Sequence, residues 1–75
     1  ELRPCDPEAR DGTRLPGCVK AYLPPPAGRF GMVFRFLIVD DRLTATYLAF
    51  GVRHHPSGSH AETVYEIADR RLHGD

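Results

Sequence analysis

The stretch Phe30-Gly31-Met32-Val33-Phe34-Arg35-Phe36-Leu37-Ile38-Val39-Asp40-Asp41-Arg42-Leu43-Thr44-Ala45-Thr46-Tyr47-Leu48-Ala49-Phe50-Gly51-Val52-Arg53 decides how this chain folds. Two runs rich in β-branched and aromatic residues flank an acidic connection, which is the pattern of a β-hairpin. Alternation with period two places Met32, Phe34, Phe36 and Ile38 on one face of the first run, and Val33, Arg35, Leu37 and Val39 on the other. In the second run it places Thr44, Thr46, Leu48, Phe50 and Val52 together, opposite Leu43, Ala45, Tyr47, Ala49 and Gly51. Both faces are partly apolar, so the expectation is a central strand pair with something packed on each side and with Phe34 and Leu48 in the core. Asp40, Asp41 and Arg42 supply the connection, because Asp tolerates tight-turn backbone angles.

Upstream, residues 18–23 read as a short strand with Val19, Ala21 and Leu23 on one side and Lys20 and Tyr22 on the other. Pro24, Pro25 and Pro26 stop it, since proline offers no ladder donor. Residues 1–17 are punctuated by Pro4, Pro7, Gly12, Pro16 and Gly17, which predicts a loop with one helical turn after Asp6-Pro7. Downstream, residues 54–60 form a polar loop. Ser59 and Glu62 have capping-box spacing, and Ala61, Val64, Tyr65, Ala68 and Leu72 then recur as one helical stripe closed by Gly74. Arg70, Arg71 and His73 suit the negative end of that helix. The fold class expected is α+β: a small antiparallel sheet built on a central hairpin, with a C-terminal helix packed on it.

At 75 residues and 41% hydrophobic content the chain reads as one small domain, residues 1–75, whose core barely offsets chain entropy. A partner, a homo-oligomer or a missing segment is therefore expected. No run approaches ~18 consecutive apolar residues and no secretory leader is visible, so the expectation is a cytoplasmic protein without a membrane partner. Cys5 and Cys18 match no C-x-x-C or finger spacing and are expected as free thiols, a bridge between them staying open. Net charge is zero, yet Arg14, Lys20, Arg29, Arg35, Arg42 and Arg53 outnumber Asp40 and Asp41 across residues 12–61. A neutral chain can still present a basic face.

No nucleotide, nicotinamide or flavin motif is present, and Gly28 and Gly31 do not form a phosphate loop, so no cofactor is expected. Ser57 and Ser59 lack a nucleophile-elbow pattern. Adjacent histidines rarely point at one ion, so no metal site is expected from His54, His55 and His60 with a cysteine. Arg29 and Arg42 suit surface charges, Tyr65 suits the apolar stripe, and Arg35 suits either an ion pair with Asp40, Asp41 or Glu66 or a phosphate contact.

The ordered pieces Leu-Pro-Gly-Cys-Val-Lys (15–20), Phe-Arg-Phe-Leu-Ile-Val-Asp-Asp-Arg-Leu (34–43), Leu-Ala-Phe-Gly-Val-Arg (48–53) and Thr-Val-Tyr-Glu-Ile-Ala-Asp-Arg-Arg-Leu (63–72) resemble the RelE/ParE superfamily of type II toxin–antitoxin toxins. In that family a basic hairpin ends in Gly-x-Arg, and a Val-Tyr followed by Ala and Arg-Leu lies near the C-terminus. The resemblance spans residues 15–73. It implies a compact α+β toxin neutralised by a cognate antitoxin. The RelE-like branch, the favoured one, cleaves mRNA on the ribosome as a metal-independent endoribonuclease, inhibiting translation. The ParE-like branch poisons DNA gyrase.

Carried over by position, Arg53 corresponds to the Gly-x-Arg arginine, Tyr65 to the Val-Tyr tyrosine and Arg35 to the arginine of the preceding strand. Lys20 falls at a basic strand position, and His54 and His55 directly follow Arg53 as proton carriers. The implied catalytic set is Arg53, Arg35, His54, His55 and Tyr65; the implied RNA-binding set is Lys20, Arg29, Arg35 and Arg53. The chain lacks the first strand and two-helix hairpin of such toxins, so an N-terminally shortened domain with one uncovered sheet face is expected. Three classes of function stay open: the endoribonuclease, a gyrase-directed or inactive toxin-fold protein that binds an antitoxin, and a small homodimerisation domain.

Overall fold

The computed structural model describes residues 2–55 and 61–74. Four strands, β1 (Leu2–Pro4), β2 (Cys18–Tyr22), β3 (Phe30–Val39) and β4 (Arg42–Val52), precede one helix, α1 (Val64–Leu72). They form an antiparallel sheet in the order β1-β2-β3-β4. The α+β class holds. β3 is an inner strand, whereas β4 lies at the edge of the sheet rather than in a central pair.

The β3–β4 connection is tighter than expected. Asp40 and Asp41 both adopt positive φ, 51° and 62°, as a two-residue turn matched to strand twist requires. Arg42 therefore belongs to β4, opposite Val39. Partway along the hairpin the register jumps: Val33 faces Ala49, but Phe34 faces Tyr47. Leu48 is the extra residue of a β-bulge. The bulge corrects the simple alternation in β4, because every residue before it changes sides relative to every residue after it. Thr44 and Thr46 share a face with Ala49 and Gly51, while Leu43, Ala45 and Tyr47 join Phe50 and Val52. Arg71 Nη1 donates to the Leu48 carbonyl at 2.7 Å, so a charged donor from α1 satisfies the bulged residue.

The N-terminal stretch departs further from expectation. Leu2–Pro4 is a strand, pairing with Val19–Ala21 at the other sheet edge. No helical turn follows Asp6-Pro7. Instead Asp11 Oδ1 accepts from both the backbone N–H (2.9 Å) and the hydroxyl (2.7 Å) of Thr13, and Ala9 N–H donates to the Thr13 carbonyl at 3.0 Å. A short polar side chain thus captures the backbone locally in place of a helix. The resulting turn buries Thr13 and drives Leu15 into the core, where it is 2% exposed.

The helix starts later than the Ser59–Glu62 spacing suggests. Ser59 lies outside the described residues, and Thr63 is the N-cap: Glu66 N–H donates to its Oγ1 (3.3 Å), while its own N–H donates to Glu66 Oε1 (2.9 Å). The capping box is real but belongs to Thr63 and Glu66, because the reciprocal pair must lie beside the first helical turn. Ala61 consequently precedes the helix. Gly74, with φ +72°, sits just past the His73 cap, where a left-handed residue closes a helix.

The buried cluster comprises Cys5, Leu15, Cys18, Val33, Leu48, Ala49, Val64 and Ala68. It lies between one sheet face and a layer made by α1 and the 5–17 segment. Gly51 lets the helix approach closely, since a Cβ there would already lie 3.7 Å from Val64 Cβ. Packing on both faces, the first expectation, is not found among the described residues. The opposite face carries Met32, Phe34, Phe36, Ile38, Tyr47 and Phe50 on β3 and β4 without a charged residue, and Ile38 is 77% exposed. Leu48 is core, as expected, but Phe34 is half-buried on this open face, set edge-on to Tyr47 with ring centroids 6.3 Å apart. Phe30 stacks on Phe50 at 5.8 Å, so the rings shield one another.

Leu15 is among the largest fully buried side chains. Leu15→Ala is expected to destabilise the fold by about 2–5 kcal/mol in chemical denaturation. Leu43→Ala, at a position 73% exposed, should shift stability by less than about 0.5 kcal/mol in the isolated chain. Equal losses at the two positions would contradict a core confined to the α1 side.

Candidate functional site

Three segments bring cationic and phenolic side chains to one end of the helix-covered face. Lys20 and Tyr22, two residues apart on β2, point to the same side. Arg53 continues the β4 ladder by donating its N–H to the Arg29 carbonyl at 2.8 Å, and emerges on that side as well. Tyr65 comes from the first turn of α1, which the Thr63 cap fixes.

Arg53 reaches Tyr22 by crossing Gly31. Tyr22 and Gly31 are cross-strand partners, and a Cβ at Gly31 would stand 3.2 Å from Arg53 Cγ. Glycine clears the path. The guanidinium then lies over the Tyr22 ring, Cζ 3.5 Å from the centroid, and Nη1 donates to the Gly28 carbonyl at 2.8 Å. This is a cation–π contact at stacking distance. Arg53 Nε is buried with no hydrogen-bond partner among the described residues. Arg53 is therefore fastened by its stack on Tyr22, its bond to Gly28 and a hydrogen bond with Tyr65, which makes it an organiser of the site more than a free phosphate ligand.

Around this stack the charges converge. Lys20 Nζ lies 5.8 Å from the Tyr22 ring centre and 5.5 Å from that of Tyr65, and Arg3 Cζ is 6.0 Å from Tyr22. The two phenols are pushed in opposite directions. Burial raises Tyr65, the hydrogen bond with Tyr22 raises it further, and Arg53 opposes both, leaving it at about 12. At Tyr22, burial also pushes upward, but hydrogen bonds from Tyr65 and Lys20 and the charges of Lys20 and Arg53 outweigh it, so its phenol lies below the usual tyrosine value. The Tyr65 hydroxyl thus donates and the Tyr22 oxygen accepts. Environments that split two neighbouring acids separate a proton acceptor from a proton donor.

The cluster opens onto a cavity of about 390 Å³, within the size range of small-ligand pockets. Lys20, Tyr22, His54 and Tyr65 form one wall; Cys5, Asp6, Arg10 and Asp11 of the N-terminal segment form part of the other. His54 is exposed, its ring centre 6.5 Å from that of Tyr65.

Of the residues expected from sequence, Arg53, Tyr65, Lys20 and His54 come together here. Arg35 does not: it faces Cys18 on β2, four residues and so about 13 Å along β3 from Gly31. It is exposed and takes part in none of the ion pairs among the described residues, so its pairing with Asp40, Asp41 or Glu66 is not found either. His55 is turned away. Its Nε2 lies 2.9 Å from the Glu62 carbonyl. Arg29 sits over the Phe30 ring at 5.1 Å, outside the cluster, and His60 lies outside the described residues. Sequence reasoning passed over Tyr22 as a site residue, although its i+2 spacing from Lys20 on a strand puts both on one face. Arg3 was unreachable without knowing that residues 2–4 join the sheet.

A direct test of this geometry is the ultraviolet titration of the tyrosines. One phenol should ionise below pH 10 and one near pH 12. Tyr22→Phe should remove the early step. Tyr65→Phe should move the early step upward, because the phenolate loses a donor; an early step unaffected by either change would show that the phenols are not coupled.

Comparison with protein-family models, with curated proteins and with solved structures finds no match for this chain. No helix among the described residues is long and apolar enough to cross a membrane.

Proposed function

We propose that this domain is a RelE-like toxin, a metal-independent endoribonuclease that cleaves ribosome-bound mRNA and is held in check by an antitoxin. The observation that carries the reading is the meeting of Lys20, Tyr22, Tyr65 and His54 at one cavity, with Arg53 stacked on the Tyr22 ring. Cleavage of RNA without a metal needs a base to take the 2′-hydroxyl proton, positive charge for the crowded phosphorus, and an acid for the departing 5′-oxygen.

These roles fall to residues on the wall. Tyr22, in the ionised form that Lys20 and Arg53 favour, accepts the 2′-proton as the 2′-oxygen attacks phosphorus. The Lys20 ammonium stabilises the charge that builds on the non-bridging oxygens. As the bond to the 5′-oxygen breaks, His54 on the rim is placed to hand a proton to it. The products are a 2′,3′-cyclic phosphate and a 5′-hydroxyl. Tyr65 and Arg53 act as positioning residues: the first donates to the Tyr22 oxygen, and the second clamps its ring and favours its ionised form.

The test is incubation of the purified chain with ribosomes programmed with a defined mRNA, in chelator, followed by analysis of the RNA ends. Cyclic phosphate and 5′-hydroxyl ends are expected; hydrolytic ends with a 5′-phosphate, or cleavage abolished by the chelator, would contradict the mechanism. The uncharged face bearing Ile38 and Phe50 favours a second reading, a gyrase-directed or antitoxin-binding protein that acts by binding alone. In that case loss of Arg53 leaves partner binding intact.

A further inference from the structure

We propose that Cys5 and Cys18 are a disulfide-forming pair that ties the N-terminal segment to β2. Register places them. Leu2, Arg3 and Pro4 face Ala21, Lys20 and Val19 in turn, and one further step sets Cys5 opposite Cys18. The backbone agrees, since Cys5 N–H donates to the Cys18 carbonyl at 3.0 Å. Directly opposed residues of an antiparallel pair lie about 4.5–5.5 Å apart at Cα, inside the roughly 4.4–6.8 Å window for a disulfide, and their side chains leave the sheet on the same face. Both side chains are buried in one cluster, 7% and 3% exposed.

The pair occupies a strategic position. Cys5 lines the cavity wall made by the N-terminal segment, and Cys18 lies two residues before Lys20 on the opposite wall. A bond between them ties the N-terminal wall to the strand that carries Lys20 and Tyr22. The twelve residues between the cysteines, including Thr13 and Leu15 of the core, would become a closed loop.

With oxidised glutathione as the disulfide oxidant, the thiolate of one cysteine attacks a glutathione sulfur and releases one glutathione thiolate. The second cysteine, deprotonated, attacks the protein sulfur of the mixed disulfide and releases the other. The chain loses two protons and two electrons, and the oxidant is reduced to two thiols. Burial raises both thiols, Cys5 to about 11 with nearby Cys18 adding to the effect and Lys20 opposing it. Oxidation is therefore slow at neutral pH and faster in mild alkali.

The experiment oxidises the full chain with oxidised glutathione in mild alkali, denatures it, alkylates free thiols and measures intact mass. The expected product is a monomer lacking two hydrogen atoms, with no alkylated cysteine and a cross-linked peptide pair carrying Cys5 and Cys18. Its unfolding midpoint should lie about 10–20 °C above that of the reduced chain and return on addition of dithiothreitol. Cys5→Ala and Cys18→Ala should each abolish the bridged monomer. Two alkylatable thiols after oxidation, cross-links only between chains, or a bridged monomer that melts no higher than the reduced chain would overturn the proposal.

Discussion

Tyr22→Phe is expected to slow RNA cleavage by about 100- to 10,000-fold, the range associated with loss of a positioned proton-transfer group. The substitution removes one oxygen and little else. Phenylalanine keeps the ring on which the Arg53 guanidinium lies at 3.5 Å, and it keeps β2 paired with β3 at Gly31. What disappears is the acceptor for Tyr65 and Lys20. Binding of mRNA and ribosome should change little, so the loss should appear in the single-turnover rate. The pH dependence carries the sign of the mechanism. The step needs an ionised acceptor and a protonated donor, so the wild-type rate should be bell-shaped in pH, and the variant should lose the limb that the Tyr22 ionisation contributes. A flat profile in the wild type would assign the proton to another group.

Arg53→Ala should have the second largest effect, a loss of about 100- to 1,000-fold in cleavage. Its cause differs. The guanidinium holds the Gly28 carbonyl at 2.8 Å, covers Tyr22 and favours ionisation of both Tyr22 and Tyr65. Alanine leaves the Gly28 carbonyl without that donor and the Tyr22 ring free to turn, with a stability cost of about 1–3 kcal/mol for a charge-assisted bond. Arg53→Lys separates charge from shape. It keeps a cation but loses the planar fork, so it should fall between wild type and alanine and leave the Tyr22 ionisation only partly restored. If lysine restores full activity, the stack on Tyr22 is dispensable and charge alone suffices.

The hairpin and the helix were legible because their signals are local. Alternating apolar residues around Asp40-Asp41 marked two strands, and the stripe of Val64, Tyr65, Ala68 and Leu72 marked one helix face. Facing along β4 was not legible, because a bulge at Leu48 has no composition of its own and yet changes the side of every residue up to Tyr47. The Leu2–Pro4 strand was missed for a related reason. Its pairing partners lie 15 to 19 residues away, and proline at its end argues against a strand unless it lies at an edge, where β1 indeed sits. The capping box was found in kind but misplaced, since two Ser/Thr-x-x-Glu pairs, Ser59–Glu62 and Thr63–Glu66, follow each other and only tertiary docking selects between them.

The site divides in the same way. Arg53 and Tyr65 were reachable through the resemblance of the Gly-Val-Arg and Val-Tyr pieces, and Lys20 and His54 through charge and position. Arg35 and His55 were assigned by their places along the chain, which carry no information about the far end of a strand or the turn of a loop. Tyr22 shows what facing adds: its role depends on a glycine across the sheet that lets an arginine reach it.

Whether this cluster cuts RNA is read most directly from cleavage of a defined mRNA on programmed ribosomes in chelator. Wild type, Tyr22→Phe, Arg53→Ala and Tyr47→Phe should be run together, each confirmed folded by circular dichroism. Tyr47 lies on the open face and serves as the control. Cleavage by wild type and Tyr47→Phe and near-complete loss in the other two are expected. A folded wild type that leaves the mRNA intact, or a Tyr22→Phe chain that cuts at the wild-type rate, would contradict cleavage of RNA by this cluster.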